Sequence, residues 1–419
     1  MNNVEENQQK RNKTTMVPRL RFPEFQNHEG WEVKLLEKIC DFLNNQRKPI
    51  SSNYREKGNY PYYGASGVVD YVKDYLFNER LILIGEDGAK WGEFEKTAFI
   101  AEGKYWVNNH AHVLKPTKIV DSLLQNYLVK LDLTPFITGA APPKLTLAKL
   151  KKIPIPLPLK KLEQQKIADC LSSLDDLIDA SAKKLELLKE HKKGLMQKLF
   201  PAEGKTMPEF RFPEFLNATD WKVEQLGKIC KFVRGPFGGA LKKEIFVDVG
   251  YAVYEQMHAI YQNFNSFRYY IDEKKFNELK RFSIASNDLI MSCSGTMGKF
   301  AIIPSEAKKG VINQALLKLS VRENYDLYFI KLTLELPNNQ IQLLSQAAGG
   351  AIKNVASVGE IKNIRLHIPS KEEQQKIADC LSSLDDLITA QTQKLDTLKK
   401  HKKGLMQQLF PVMDNEVSG

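Results

Sequence analysis

The sequence predicts a mixed α/β (α+β) chain: two globular domains separated by a pair of long antiparallel coiled-coil helices, with a pseudo-two-fold internal repeat. Three observations predict it. A sixteen-residue stretch occurs twice, letter for letter; the apolar residues within and after it follow a heptad; and short apolar runs punctuated by Gly, Pro and Asn precede each copy.

Bulk properties bound the reading. At 419 residues, with 42% hydrophobic and 26% charged side chains, the chain suits two or three domains with real cores. Lys and Arg number 61 against 50 Asp and Glu, a formal charge of +11 that favours polyanions and makes nucleic acid the first partner to test. No apolar run approaches the roughly 20 residues of a membrane span, and the Asn- and Gln-rich start lacks a signal peptide's apolar segment. A cytoplasmic protein with no membrane partner is expected. The five cysteines agree, since Cys40 and Cys230 are repeat equivalents, as are Cys170 and Cys380, and Cys293 stands alone. That is duplication, not a disulfide framework. No Cys/His spacing predicts a metal site.

Residues 1–17 lack periodicity and are expected to be a disordered tail. The first globular domain follows at 18–160. It opens with RFPEF at Arg21 to Phe25, Trp31 and KIC from Lys38, and these recur 190 residues on, from Arg211, at Trp221 and from Lys228. Arg80 to Gly88 reads as a buried strand entering a Gly turn, His112 to Pro116 as a second strand, and Ser122 to Leu131 as a short amphipathic helix.

The first long helix is expected at 161–200. It holds EQQKIADCLSSLDDLI from Glu163 to Ile178, repeated from Glu373 to Ile388 at an offset of 210. Its seam is Ile167, Leu171, Leu174, Ile178, Leu185, Leu188, Leu195 and Leu199, interrupted by Ser181 and Lys192. A linker and the second domain occupy 201–370. There Asp288 to Ser292 and Phe300 to Pro304 predict a hairpin through Gly295 and Gly298, a strand follows from Ala315, and a helix from Asp326 is interrupted by Pro337. The second long helix, 371–411, repeats the seam as Ile377, Leu381, Leu384, Ile388, Leu395, Leu398, Leu405 and Leu409, with Gln391 and Lys402 in the polar slots; 412–419 is a tail.

The helices are each other's expected partners. A parallel pair in register would set Lys192 against Lys402, two ammonium groups in one seam, so antiparallel pairing is predicted, with each lysine stem snorkelling to water. Leu177, Leu187 and Met196 widen the stripe and predict a further packing surface. A helix of about 37 residues would be about 55 Å long, which sets a two-part target of at most about 16 base pairs.

A common plan links the domains: strand, Gly turn, then Asn109-His110-Ala111 in the first and Asn313-Gln314-Ala315 in the second. The segments from Thr138 and from Ala347 are also alike in type, small residues giving way to basic ones and a proline-ended entry to the helix.

Two unlike domains, closing on IPLPLKKLEQQKIADCLSSLD from Ile155 and IPSKEEQQKIADCLSSLD from Ile368, resemble the specificity (S) subunits of type I restriction-modification systems over roughly residues 18–411. The resemblance implies two target recognition domains joined by conserved spacer helices, a non-catalytic chain that reads a bipartite sequence in double-stranded DNA. It also implies two modification (methyltransferase) subunits, which would carry S-adenosylmethionine and methylate adenine, and restriction subunits in the full complex. No cofactor is expected on this chain.

The residues are consistent with a chain that performs no chemistry. An Asn/Asp-Pro-Pro-aromatic methyltransferase motif is missing, since Pro142-Pro143 lies between Ala141 and Lys144. SGTMGK from Ser294 has too few residues between its glycines for a P-loop, and GEDGAKWG from Gly85 opens no helix, so both read as turns. His110 and His112 have no acidic partner at a recognisable spacing, and Asp175-Asp176 and Asp385-Asp386 read as solvated or subunit-contacting. Core packing is the expectation for Tyr60-Pro61-Tyr62-Tyr63 and Phe267-Arg268-Tyr269-Tyr270.

Candidate DNA-binding residues gather around the Gly turns and Asn motifs: Lys90, Asn108, Asn109, His110 and Lys144 in the first domain, and Arg234, Lys242, Lys243, Arg268, Lys299, Asn313, Gln314 and Lys353 in the second. Arg and Lys suit guanine or phosphate, and Asn and Gln suit adenine. The competing reading is a coiled-coil scaffold with two protein-binding end domains, which predicts binding indifferent to DNA sequence.

Overall fold

The computed structural model describes residues 16–344 and 357–412, and these form two compact units. One unit runs to Lys184 and resumes at Gln391; the other is Leu185–Ala390. Residues 1–15 of the expected N-terminal tail, all but the first residue of the C-terminal tail, Lys353 and the first ten residues of the segment from Ala347 lie outside the described residues; Met16, expected in the disordered tail, instead bridges Trp31 through both backbone hydrogen bonds.

In the first unit, the strands are β1 (Glu32–Leu35), β2 (Cys40–Phe42), β3 (Lys57–Gly64), β4 (Gly67–Val72), β5 (Phe77–Asn78), β6 (Leu81–Gly85), β7 (Ala98–Ala101), β8 (Lys104–Val107), β9 (Ala111–Pro116) and β10 (Pro154–Leu157). They make an antiparallel sheet β2-β9-β6-β7, a second sheet β4-β3-β8-β5 whose β3–β8 pair is parallel, and a β1–β10 ribbon. The fully buried β6 explains the architecture. Its period-2 alternation sends Ile82 and Ile84 into a core with the helix Asp121–Lys130, while Leu81 and Leu83 pack with Phe77 and Tyr105 of the second sheet. A continuous apolar run is what a strand covered on both faces requires.

The second unit repeats the plan with β11 (Lys222–Gln225), β12 (Cys230–Arg234), β13 (Phe246–Val247), β14 (Tyr251–Tyr254), β15 (Tyr270–Ile271), β16 (Leu289–Ser292), β17 (Phe300–Ile302), β18 (Gly310–Ile312), β19 (Leu316–Val321) and β20 (Arg365–Ile368). Its sheets are β12-β19-β16-β17, in the same order as in the first unit, then β13-β15-β14-β18 with β14–β18 parallel, and the ribbon β11–β20. Leu289 and Met291 face the helical core and Ile290 faces the second sheet. The helix expected from Asp326 is Leu327–Glu335, capped by the Asp326 carboxylate, which accepts the Phe329 N–H at 2.7 Å; Pro337 then starts a separate helix, Pro337–Leu343.

Each long helix has 39 residues, Lys161–Leu199 and Lys371–Leu409, ending one and two residues before the expected bounds at 200 and 411. Within each unit the two helical segments run antiparallel. Lys402 donates to both carboxylate oxygens of Asp175 at 2.6 and 2.7 Å, and Lys192 does the same to Asp385 in the other unit. This corrects two expectations: the seam lysines do not simply reach for water, and the first Asp of each doublet is an ion-pair partner for the seam. Asp176 and Asp386 are exposed. At the remaining polar slots, the Gln391 amide donates to the Ser181 carbonyl at 2.9 Å in a buried position.

Of the seam residues, Ile167, Leu171, Leu185, Ile377, Leu381 and Leu395 are buried, whereas Leu174, Ile178, Leu188, Leu195, Leu384, Ile388, Leu398 and Leu405 are half-buried. The wider stripe divides. Met406 is buried and Met196 packs on the second unit's core, while Leu177 and Leu187 are not covered within this chain. All five cysteines are free thiols; burial pushes Cys40 and Cys230 up to about 12. Among the described residues, no helix is long and apolar enough to cross a membrane and no three His, Cys, Asp or Glu side chains form a metal-binding group.

Candidate nucleic-acid interface and its helix anchor

The repeated motifs meet in space as an anchor between domain and helix. Arg21 donates to both oxygens of Glu163 at 2.7 and 2.8 Å, and the Trp31 indole N–H adds a third bond to Glu163 at 3.1 Å. Arg211, Glu373 and Trp221 repeat the arrangement at 2.8, 2.6 and 3.3 Å. Both carboxylates are buried and held by a bidentate guanidinium, the geometry in which such a pair is strongest. The next residue does a second job. Gln164 accepts the Val120 N–H and donates to the Pro158 carbonyl, as Gln374 does with Asp326 and Pro369. The Leu-Phe-Pro end of each helix closes the anchor, Phe410 against Trp31 and Phe200 against Trp221, both edge to face. Much of the letter-for-letter identity is thereby explained by packing.

At the ends of the four-stranded sheets lies a polar ridge, built alike in both units. Asn108 accepts the His110 N–H with its side-chain carbonyl while its own N–H donates to the Tyr63 carbonyl; Asn313 does the same with Ala315 and Tyr254. These are Asx turns. They correct the expected alignment by one residue: Asn108, not Asn109, is the counterpart of Asn313. Asn108 is buried and serves the turn, which removes it as a base reader, leaving Asn109 and Gln314 exposed beside it.

The first unit's ridge is charge-compensated. Asp87, on the turn after β6, takes a hydrogen bond with His110 and an ion pair with Lys144 at 3.0 Å. Burial raises the Asp87 pKa, but these two partners outweigh it and hold the carboxyl below its usual range. Arg47 lies beside them, paired with Glu86 at 2.8 Å and donating to the Asn109 and Ala111 carbonyls. So His110 does have an acidic partner, delivered across the sheet where linear spacing could not show it. His112 is buried and pushed down by desolvation; its Nε2 donates to Leu145 O at 2.6 Å and its Nδ1 accepts from Asn44, the pattern of a neutral structural imidazole. Lys90 is exposed on the same turn region.

In the second unit Arg234 and Arg268 lie close to the Asn313 turn. Gly235 presses against the Asn313 carbonyl so closely that a Cβ there would sit 1.8 Å from it. Arg234, one residue before, reaches Cys293 and opposes the burial that pushes this thiol up to about 11. Arg268 lies over the Tyr269 ring and pairs at 2.7 Å with Glu255, the residue after Tyr254, whose carbonyl fixes the Asn313 turn. Lys242, Lys243 and Lys299 are exposed. Sequence reasoning missed Arg47, Asp87, Gln256 and Ser294, whose hydroxyl donates to Gln256 at 2.7 Å. Only the sheet brings them to the ridge. The aromatic runs line the cores in part: Tyr62 is buried, Tyr63, Phe267, Tyr269 and Tyr270 pack half-buried against core clusters, and Tyr60 packs edge to face on Tyr75.

A twice-built domain, each copy with an anchored helix and an exposed polar ridge, defines a tandemly duplicated protein, and comparison with known proteins gives its family. The family described as type I restriction modification DNA specificity domain matches twice, at residues 28–190 and 218–400. A putative type I restriction enzyme specificity subunit of Haemophilus influenzae is 29% identical over 383 residues, covering 88% of this chain and 91% of its own. The type I restriction enzyme MjaVIII specificity subunit of Methanocaldococcus jannaschii is 24% identical, covering 91% of this chain and 92% of its own. The crystal structure of a type I restriction-modification S subunit from M. genitalium superposes with a TM-score of 0.66 over 95% of this chain and all of that one, at 15% identity, a likeness of fold. The chain belongs to the type I restriction-modification specificity family, as a non-catalytic subunit with two tandem target recognition domains.

Proposed function

We propose that each domain reads one half of a bipartite site in double-stranded DNA through its sheet-end ridge, while the paired helices set the spacer and dock two modification subunits, with restriction subunits completing the complex in the cytoplasm. The observation that carries the reading is the pair of equivalent Asx turns at Asn108 and Asn313, which give unlike side chains the same placement in two homologous domains. Conserved architecture holding divergent residues is what two readers of different half-sites need. Asn109, His110, Lys144 and Lys90 on one ridge, and Arg234, Gln314, Lys299, Arg268, Lys242 and Lys243 on the other, divide between base edges and phosphates. Adenine methylation belongs to the modification partners, which bring S-adenosylmethionine.

Docking is supported by the helix surfaces that packing does not use. Gln165, Asp169, Asp176 and Leu177 are exposed, and so are their identical counterparts Gln375, Asp379, Asp386 and Leu387. Two identical faces suit two copies of one subunit. Binding of the chain with its modification subunits to duplex DNA tests the reading: affinity should fall steeply with salt, and a specific component should require both half-sites. Equal affinity for all sequences at every salt concentration would favour a protein scaffold.

A further inference from the structure

We propose that Phe237 stacks on a nucleobase of the bound duplex at the second domain's half-site, as a wedge beside the reading ridge; the proposal rests on the DNA-reading function above. Phe237 is 95% exposed. A lone exposed apolar side chain is ordinary, so exposure decides nothing by itself. What distinguishes this ring is how it is held. Gly235 is locked against the Asn313 carbonyl, Pro236 is buried, and the Ala240 N–H closes a turn on the Phe237 carbonyl at 2.9 Å. Two peptide units keep the Phe237 Cα within about 7.6 Å of Gly235, which itself lies against Asn313 and Gln314.

Charge around the ring selects the partner. The segment from Arg234 to Lys243 holds three cations, Arg234, Lys242 and Lys243, and no acid. Aromatic rings among cations suit bases and phosphates together, because every base offers a π face while the cations hold the backbone. The corresponding connection of the first domain, from β2 to β3, also exposes one aromatic, Tyr54, at 82%, in a segment of four cations, Arg47, Lys48, Arg55 and Lys57, and one acid, Glu56, in which Arg47 and Arg55 are already paired with Glu86 and Asp70. Recurrence on the same connection with unrelated sequence argues for a shared role.

The test uses the full chain with its modification subunits and a duplex bearing its bipartite site, with 2-aminopurine placed in turn at each step of the half-site. Binding by the unaltered complex should raise fluorescence at one step, reporting unstacking. Phe237→Ala should abolish that rise and weaken binding roughly 5- to 150-fold, as loss of a base-stacking ring does, while Phe237→Trp retains both. Melting temperature should not change, since the ring is outside the core. Unchanged affinity and fluorescence in Phe237→Ala would overturn the wedge and leave site-specific binding intact. Loss of the modification subunits on co-purification would instead make the ring a protein contact. If the unaltered complex shows no site-specific binding, the DNA-reading function falls with it.

Discussion

Glu163 and Glu373 spend both carboxylate oxygens inside the fold, so their worth is a matter of removal. Glu163→Ala leaves the Arg21 guanidinium buried and unpaired, and should cost about 3–5 kcal/mol in denaturant unfolding; the double variant Arg21→Met, Glu163→Leu should cost less. His112 gives a pH signature. Burial lowers its folded pKa below the ordinary value near 6.5, so the folded state binds fewer protons than the unfolded one. Its contribution is complete above pH 6.5 and is lost as pH falls below it. The melting temperature should decline on acidification through that range, and the decline should be shallower in His112→Asn. On the ridge, Gln314→Ala should relax discrimination at one base pair by about 1–3 kcal/mol while leaving other positions alone. The residue scale was the least legible in sequence. Asn109 and Asn313 look equivalent by their neighbours, but backbone pairing to Tyr63 and Tyr254 shows that Asn108 holds the place, and Asp87 meets His110 and Lys144 only because the sheet folds them together.

The helices were legible because a heptad is local, and repulsion between Lys192 and Lys402 in a parallel pair was enough to choose the antiparallel one. The specific partners were not, since the expectation placed the ammonium groups in water when Asp175 and Asp385 lie opposite them. Reversing one pair checks this. Lys402→Asp alone should lower the melting temperature by setting two carboxylates together, and adding Asp175→Lys should restore most of the loss. On the proposed spacer role, inserting seven residues into both helices adds about 10.5 Å, and the gap in the recognised sequence should grow by about three base pairs. A gap that stays fixed would show that the helices are not the ruler.

For the whole molecule, duplication with divergence is the organising fact. The offset between halves rises from 191 at Tyr63 and Tyr254 to 205 at Asn108 and Asn313, so most of the twenty extra residues of the second half lie within its reader, around the helices Gln256–Tyr261 and Glu273–Glu278. The anchor motifs on either side keep their chemistry. Constant anchors and divergent ridges fit a chain whose partners stay the same while its target changes. Whether this chain dictates a two-part DNA target is read from a map of methylated adenines in cells given the chain with its modification subunits. One new bipartite motif with a fixed gap is expected, the whole spanning no more than about 17 base pairs for helices of 39 residues; an unchanged map, or a single undivided motif, would contradict it.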